Sequence, residues 1–371
     1  MIDRGIIDAF EFRLGQVWRR ARVDLPLIGA LLLVCAVGLM TLYSASAENP
    51  HQVLNQALRL ALGFGVMFAF SRIPPMWFRT LTPWFYLATM LLLVLVLLFG
   101  EGRGANRWLD LKLLRFQPSE LAKLALPMMV AWYLHTRALP PRWRDLFLCT
   151  ALIGVPALLI GMQPDLGTAL LVGASGAFVV FLAGIAWRRI LFLLAIGAAA
   201  IPVLWHFMHE YQRNRVRMLV NPESDPLGNG WNIIQSKIAV GSGGLWGKGW
   251  MGSTQARLDF LPEHTTDFIF AVYSEEFGLI GVILLMAVYL FIIGRGLWIA
   301  VHARDTWSRL IAGSISMTFF VYVMVNGGMI AGLLPVVGVP MPLISYGGTS
   351  AVSLLAGFGV LMSIHSHRRL A

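Results

Sequence analysis

Three of the four carboxylates in the run FLPEHTTDFIFAVYSEEFG raise the first chemical question. Asp267 is the last polar residue before a long apolar stretch, and Glu275 and Glu276 lie about two helical turns further on. A carboxylate at a membrane boundary can take a proton from a sugar hydroxyl or bind a divalent ion. It can equally rest in the first turn of a helix, on the dipole. In QPSELAKLALP, Glu120 and Lys123 are spaced i, i+3 and share one helical face. Charge inside a bilayer is costly, so such a pair either neutralises itself and supports packing or walls a substrate cavity. Asp165, in QPDLGT, stands where an acid caps the next helix.

The candidate anion binders are basic. Arg107, Lys112 and Arg115 lie in the short loop before Glu120, with Trp108 placed as an interfacial anchor. Arginines there could contact lipid phosphate or grip a phosphate-bearing substrate through forked hydrogen bonds. The segment 208–267 adds Arg213, Arg215, Arg217, Lys237 and Lys248, but its basic and acidic residues balance, so any anion site there needs local clustering. Its GSGGLWGKG run could bring backbone N–H groups to an anion, although it lacks the GxxxxGK[ST] spacing of a phosphate loop. The uncharged connection GMIAGLLPVVGVPMPLISYGGTS is dense in Gly and Pro and reads as non-helical backbone dipping into the membrane. Ser345 offers a hydroxyl there, or caps the helix that follows.

These residues must be positioned by membrane helices. Of 371 residues, 57% are hydrophobic and 13% charged, with mean hydropathy +0.71. A soluble domain carries about 25% charged residues, and a disordered chain has low hydrophobicity. Both classes are excluded. Apolar runs cover 25–44, 53–70, 81–99, 119–135, 146–162, 166–185, 189–207, 268–293, 308–331 and 348–365. Each approaches the roughly 20 residues of a span. The expectation is an all-α polytopic membrane protein, a single integral membrane domain over 1–371. It has about ten transmembrane helices and one long loop, 208–267, between helices seven and eight.

Arginines crowd the termini and one set of loops, whereas the short loops opposite hold Arg103, Arg107, Lys112 and Arg115. The positive-inside rule then places both termini in the cytoplasm and 208–267 outside. Residues 1–23 repeat Ile2, Ile6, Phe10, Leu14 and Trp18 among arginines, which suits either a cytoplasmic amphipathic helix on anionic lipid or a silent terminus. The net charge of +10 belongs to this orientation signal, and no nucleic-acid partner is implied. Cys35 and Cys149 fall in apolar runs as free thiols.

Together, QPSELAK, QPDLGT, YQRNRV, NPESDPLG, GWNIIQSKIAVGSGGLWGKGW, HTTDFIFAV and LPVVGVPMPLISYGG resemble the SEDS family of bacterial cell-wall proteins, its elongation branch more than its division branch. The resemblance covers nearly the whole chain. It implies a peptidoglycan glycosyltransferase that polymerises lipid II on the periplasmic face of the inner membrane during elongation and maintenance of rod shape. The alternatives are a lipid II flippase and a division-specific polymerase. The implied partners are a class B penicillin-binding protein (a transpeptidase) and the MreB, MreC and MreD elongation proteins. The family aspartate falls on Asp267, as catalytic residue. Arg107, Arg115, Glu120 and Lys123 match family positions in the substrate-binding part. Arg213, Arg217, Lys237, Lys248 and Ser345 join them as candidate substrate contacts. No tightly bound cofactor is implied, although a divalent Mg or Mn ion at Asp267 could share the work. One departure concerns the histidine that the family places two residues before the aspartate. Here Thr265 holds that position and His264 precedes it.

Overall fold

The computed structural model describes residues 23–100, 107–110, 115–208, 210–221, 225 and 230–367. The amphipathic segment 1–23 lies, apart from Val23, outside them. Each of the ten apolar runs coincides with a helix: α1 Leu25–Ala45, α2 Pro50–Arg72, α3 Pro75–Phe99, α4 Pro118–Leu134, α5 Trp143–Gly161, α6 Leu166–Leu182, α7 Trp187–Phe207, α11 Ile269–Val301, α12 Thr306–Ile330 and α13 Gly348–His367. Seven of them are long and apolar enough to cross a membrane. The ends are set by side-chain caps. Asp24, Asn49, Asp165 and Asp305 each accept a first-turn N–H, which satisfies a donor that the helix leaves open.

The helices bury one face and expose another that is largely apolar. On α2, Leu54, Leu58 and Leu62 recur every four residues and are each more than half exposed. Leu87 and Leu91 on α3, and Phe147 and Leu158 on α5, are similarly open. A belt of that size is tolerated where the solvent is hydrocarbon. The centre of the bundle is α12, buried from Trp307 to Ile330 against α4, α6, α11 and α13. At one end of the bundle, Arg295 of α11 holds Asp24 at 2.8 and 3.0 Å, and His365 of α13 lies 3.5 Å from the same carboxylate. The candidate site lies at the opposite end.

The segment 208–267 is more structured than a loop. It contains α8 Glu210–Val220, α9 Trp231–Ser242 and the short α10 Thr254–Arg257. The loop after α3 forms a two-residue antiparallel pair, β1 Leu109–Asp110 with β2 Arg115–Phe116.

The expected eighth span, 268–293, needs correction. Helix α11 has 33 residues, about 50 Å of ideal helix against the roughly 30 Å of a bilayer core. It is broken at Gly278, whose φ of 61° and ψ of −165° suit glycine alone. The break frees the carbonyls of Glu275 and Glu276 and the N–H groups of Leu279 and Ile280. The GGLWGKG turn supplies partners for all four. Lys248 N and Gly249 N donate to the two carbonyls at 3.0 Å each, while Leu279 N and Ile280 N donate to Gly244 O and Leu245 O at 2.9 and 3.2 Å. A Cβ on Gly247 would meet Glu276 O at 2.0 Å. The turn expected to cradle an anion therefore uses two of its backbone N–H groups to repair a broken helix.

Candidate active site

Helix α12 carries three contacts on one face. Tyr322, Asn326 and Ile330 are spaced i, i+4 and i+8, so they stack about 6 Å apart along the axis. Tyr322 lies under Lys123, with Nζ 5.0 Å from the ring centroid. Lys123 pairs with Glu120 at 2.6 Å, and Ser353 of α13 donates to the other Glu120 oxygen at 2.7 Å. All of Glu120 and Lys123 but a few per cent is buried. The pair neutralises itself, takes support from α12 and α13, and leaves the ammonium facing an aromatic ring.

One level up, Asn326 is fully buried and donates twice: to Asp267 O at 2.9 Å and to Val339 O at 2.7 Å. The two neighbouring carbonyls are held as well. Ser345 Oγ donates to Thr266 O at 2.7 Å, and Tyr346 N donates to Thr265 O at 2.9 Å. Three successive carbonyls, 265 to 267, are thus bonded to α12 and to the 338–346 connection. Ser345 Oγ also accepts Met341 N at 2.7 Å, so its hydroxyl staples two loops. The backbone that presents Asp267 is fixed one residue at a time. Its carboxylate faces Gly338: a Cβ built there would stand 3.5 Å from Oδ2. Gly338 has φ +71°, a conformation that side chains disfavour.

Two basic candidates lie near the same connection, one on it and one on the corner packed against it. Lys237 of α9 packs on Gly332, with Nζ 2.8 Å from the position of a Cβ there, and Ser236 beside it donates to Ile330 O at 3.2 Å. Arg107 is tied to the QPDLG corner. It pairs with Asp165 at 3.7 Å, donates to Gln163 O at 3.4 Å and donates also to Pro164 O. Gln117 completes that corner through Asp165 at 3.2 Å, and Gly167 packs directly on Val337 O. Lys237 therefore packs on the start of the connection that Asp267 faces, and Arg107 secures the QPDLG corner, whose Gly167 packs on it.

The remaining candidates have other partners. Arg213 donates to Trp205 O and His206 O at the end of α7, and Arg217 pairs with Glu210 at 2.6 Å. Lys248 pairs with Glu275 at 2.5 Å beside the helix break. Glu275 is fully buried and also receives Ser253, Thr254 and Gln255. Glu276 is bonded by Ser44 of α1. The ring of His264 meets Leu261 O at 2.9 Å, a local contact. The side chain of Arg115 lies outside the described part. Among the described residues, no group of three or more His, Cys, Asp or Glu could hold a metal. A protein cage for a divalent ion is therefore not formed by them, and the chemistry below is derived without one.

The family model for FtsW, RodA and SpoVE, described as cell cycle protein, matches residues 24–370. The chain belongs to this family. It is 49% identical over 355 residues to the peptidoglycan glycosyltransferase MrdB of Escherichia coli K12, covering 95% of this chain and 96% of that protein. In the solved structure titled "Structural coordination of polymerization and crosslinking by a peptidoglycan synthase complex", one chain superposes with TM-score 0.82 at 35% identity, over 94% of this chain and 99% of that one. The rod shape determining protein RodA of Thermus thermophilus superposes with TM-score 0.72 at 31% identity, over 94% and 98%. With its apolar helices, this member of the family is a multi-pass membrane protein.

Sequence reasoning missed two residues of this site. Asn326 sits inside an apolar run as one polar residue among many small ones, and nothing in its spacing announces a clamp. Arg59, whose guanidinium stacks over Tyr346 at 4.8 Å from the ring centroid, stands within the second apolar run, where a charge inside a span is itself a signal.

Proposed function

We propose that this protein is a peptidoglycan glycosyltransferase that polymerises lipid II during cell elongation. It works at the outer face of the inner membrane, with both termini in the cytoplasm. The observation that carries the proposal is the clamp on residues 265–267, which fixes the backbone of Asp267, whose carboxylate faces Gly338. The names of the relatives supply the reaction class.

In this account the sugar 4-OH of one lipid II approaches Asp267. The carboxylate takes its proton as the oxygen bonds to the anomeric carbon of the growing strand. The bond from that carbon to the pyrophosphate oxygen breaks, and the pyrophosphate leaves with its charge. Lys237, packed on Gly332 of that connection, and Arg107, held at the neighbouring 163–165 corner, stabilise that charge. Arg115 is assigned to the same task. Arg213, Arg217 and Lys248 enter it only by exchanging Glu210 and Glu275 for phosphate. Glu120 and Lys123 support the wall below, and Ser345 holds the loop rather than the substrate. The proposed partners are a class B penicillin-binding protein, which cross-links the new strand, and the MreB, MreC and MreD proteins.

The test is incubation of the purified protein and its class B partner with lipid II in detergent, with products resolved on a gel. A parallel assay follows lipid II crossing a liposome bilayer. The proposal expects glycan ladders. Lipid II crossing without ladders, from folded protein, would replace the polymerase with a transporter.

A further inference from the structure

Helix α2 carries a polar stripe on its protein-facing side. Leu54, Leu58 and Leu62 mark its exposed face. Gln52, Gln56 and Arg59 fall within an arc of about 60° on another side, by the 3.6-residue repeat. Arg59 lies nine residues inside the helix, about 13 Å along its axis from Pro50. That is deeper than an arginine needs to be to reach the headgroups freely.

The stripe faces the connection that clamps Asp267. Gln56 Nε2 donates to Ser345 O at 3.1 Å, and Gln56 Oε1 accepts Gly347 N at 3.2 Å. Next along, the Arg59 guanidinium stacks over Tyr346, 4.8 Å from the ring centroid. Tyr346 is the residue whose N–H holds Thr265 O. A Cβ on Gly348 would come within 3.0 Å of Arg59 Cδ and 3.1 Å of Nε, so the absence of a side chain there makes room for the arginine. Among the described residues, no carboxylate or carbonyl accepts a hydrogen bond from Arg59. A guanidinium carries five N–H donors and does not lose its charge. Arg59 is partly buried, and among the described residues its fork has the Tyr346 ring on one face and no acceptor at its edge, which leaves its donors open to a ligand. Gln52 Oε1, about two turns further out on the same stripe, is a buried atom with no partner among the described residues.

We propose that Arg59, carried on Tyr346, binds the phosphate ester of a lipid-linked substrate on the α2 and α13 side of the Asp267 loop. The ligand is the diphosphate of a polyprenyl-linked sugar, whose two adjacent phosphates suit a forked donor. This rests on the polymerase reading for the identity of the lipid. An ordinary phospholipid headgroup offers related chemistry from a different source. The position of Arg59 on the same connection as Asp267, rather than on the lipid face of α2, favours the substrate.

The test measures equilibrium binding of undecaprenyl diphosphate to the full-length protein in nanodiscs, by native mass spectrometry, for wild type, Arg59→Gln, Arg59→Lys and Gly348→Ala. Loss of a charge-assisted bond predicts binding at least about tenfold weaker in Arg59→Gln, with partial return in Arg59→Lys, which keeps the charge and loses the fork. Gly348→Ala keeps the arginine but displaces it, and weakens binding in the same direction. It also carries the test if Arg59→Gln does not fold. Phosphatidylglycerol in tenfold excess leaves binding in place. Unchanged affinity in folded Arg59→Gln or Gly348→Ala overturns the inference, and so does equal competition by phosphatidylglycerol. A wild type that binds no undecaprenyl diphosphate at all would instead count against the polymerase reading itself.

Discussion

The side-chain amide of Asn326 donates to the backbone carbonyl of Asp267 at 2.9 Å and, with its other hydrogen, to Val339 O at 2.7 Å. One buried residue on the central helix thus joins the loop that ends in the candidate base to the connection that its carboxylate faces. The bond reaches the backbone of Asp267, so it sets where the carboxylate stands without touching substrate.

Replacing Asn326 with Ala removes both bonds and takes the amide from the buried Val339 carbonyl, at about 1–3 kcal/mol. The expected result is a lowered melting temperature and a fall in kcat of about tenfold, with KM little changed, because positioning is lost and binding is kept. Steady-state lipid II kinetics beside a thermal melt check this. A melt shift with kcat intact would reduce Asn326 to a structural residue.

Gly278→Ala should be the most damaging single change in α11. The added Cβ would lie 2.3 Å from Gly247 N, at a backbone angle that only glycine adopts comfortably. Freeing the four bonds between the turn and the helix break leaves polar backbone inside the bundle, at several kcal/mol per group. Aggregation on size exclusion, or loss of folded protein in detergent, is the expected outcome. A well-folded Gly278→Ala protein would mean that the break closes into continuous helix.

Much of this fold is legible in the residues, for a physical reason. Twenty apolar residues in a row have one solution in a bilayer, and each of the ten apolar runs is a helix. The ends follow from caps such as Asp24 and Asn49, which are local. The break at Gly278 is not legible, because a single glycine in an apolar run does not announce its φ. Its partners, Gly244 to Gly249, lie some thirty residues away in sequence. The motif around Asp267 lies where Asn326 and the 338–346 connection meet. The roles of Ser345 and Lys248 did not follow from residue type: each offers a group suited to substrate, and each is bonded to another part of the chain. Only the pairing of distant loops decides that.

The Glu120 and Lys123 pair yields an asymmetric prediction. Lys123→Met leaves a buried carboxylate with only Ser353, and Glu120→Gln leaves a buried ammonium over a ring. Breaking one side of a buried pair costs about 3–5 kcal/mol, while removing both charges costs far less. Thermal unfolding of the two single variants and the double variant tests this. A double variant as unstable as the sum of the singles would contradict self-neutralisation.

At the helix break, Glu275→Ala should be worse than Lys248→Ala. Glu275 is fully buried and gathers Lys248, Ser253, Thr254 and Gln255, whereas Lys248 is 31% exposed. Limited proteolysis of the 243–257 region reports the difference. Rapid cleavage is expected in Glu275→Ala and near wild-type resistance in Lys248→Ala. The reverse order would show that the lysine holds the turn.

The central claim is that Asp267 makes the glycosidic bond possible. The direct measurement is lipid II polymerisation by purified wild type and Asp267→Ala, each with the class B partner and each shown to be folded by its melt. The account predicts glycan ladders from wild type and none from Asp267→Ala. Ladders of similar length and rate from both proteins would contradict it.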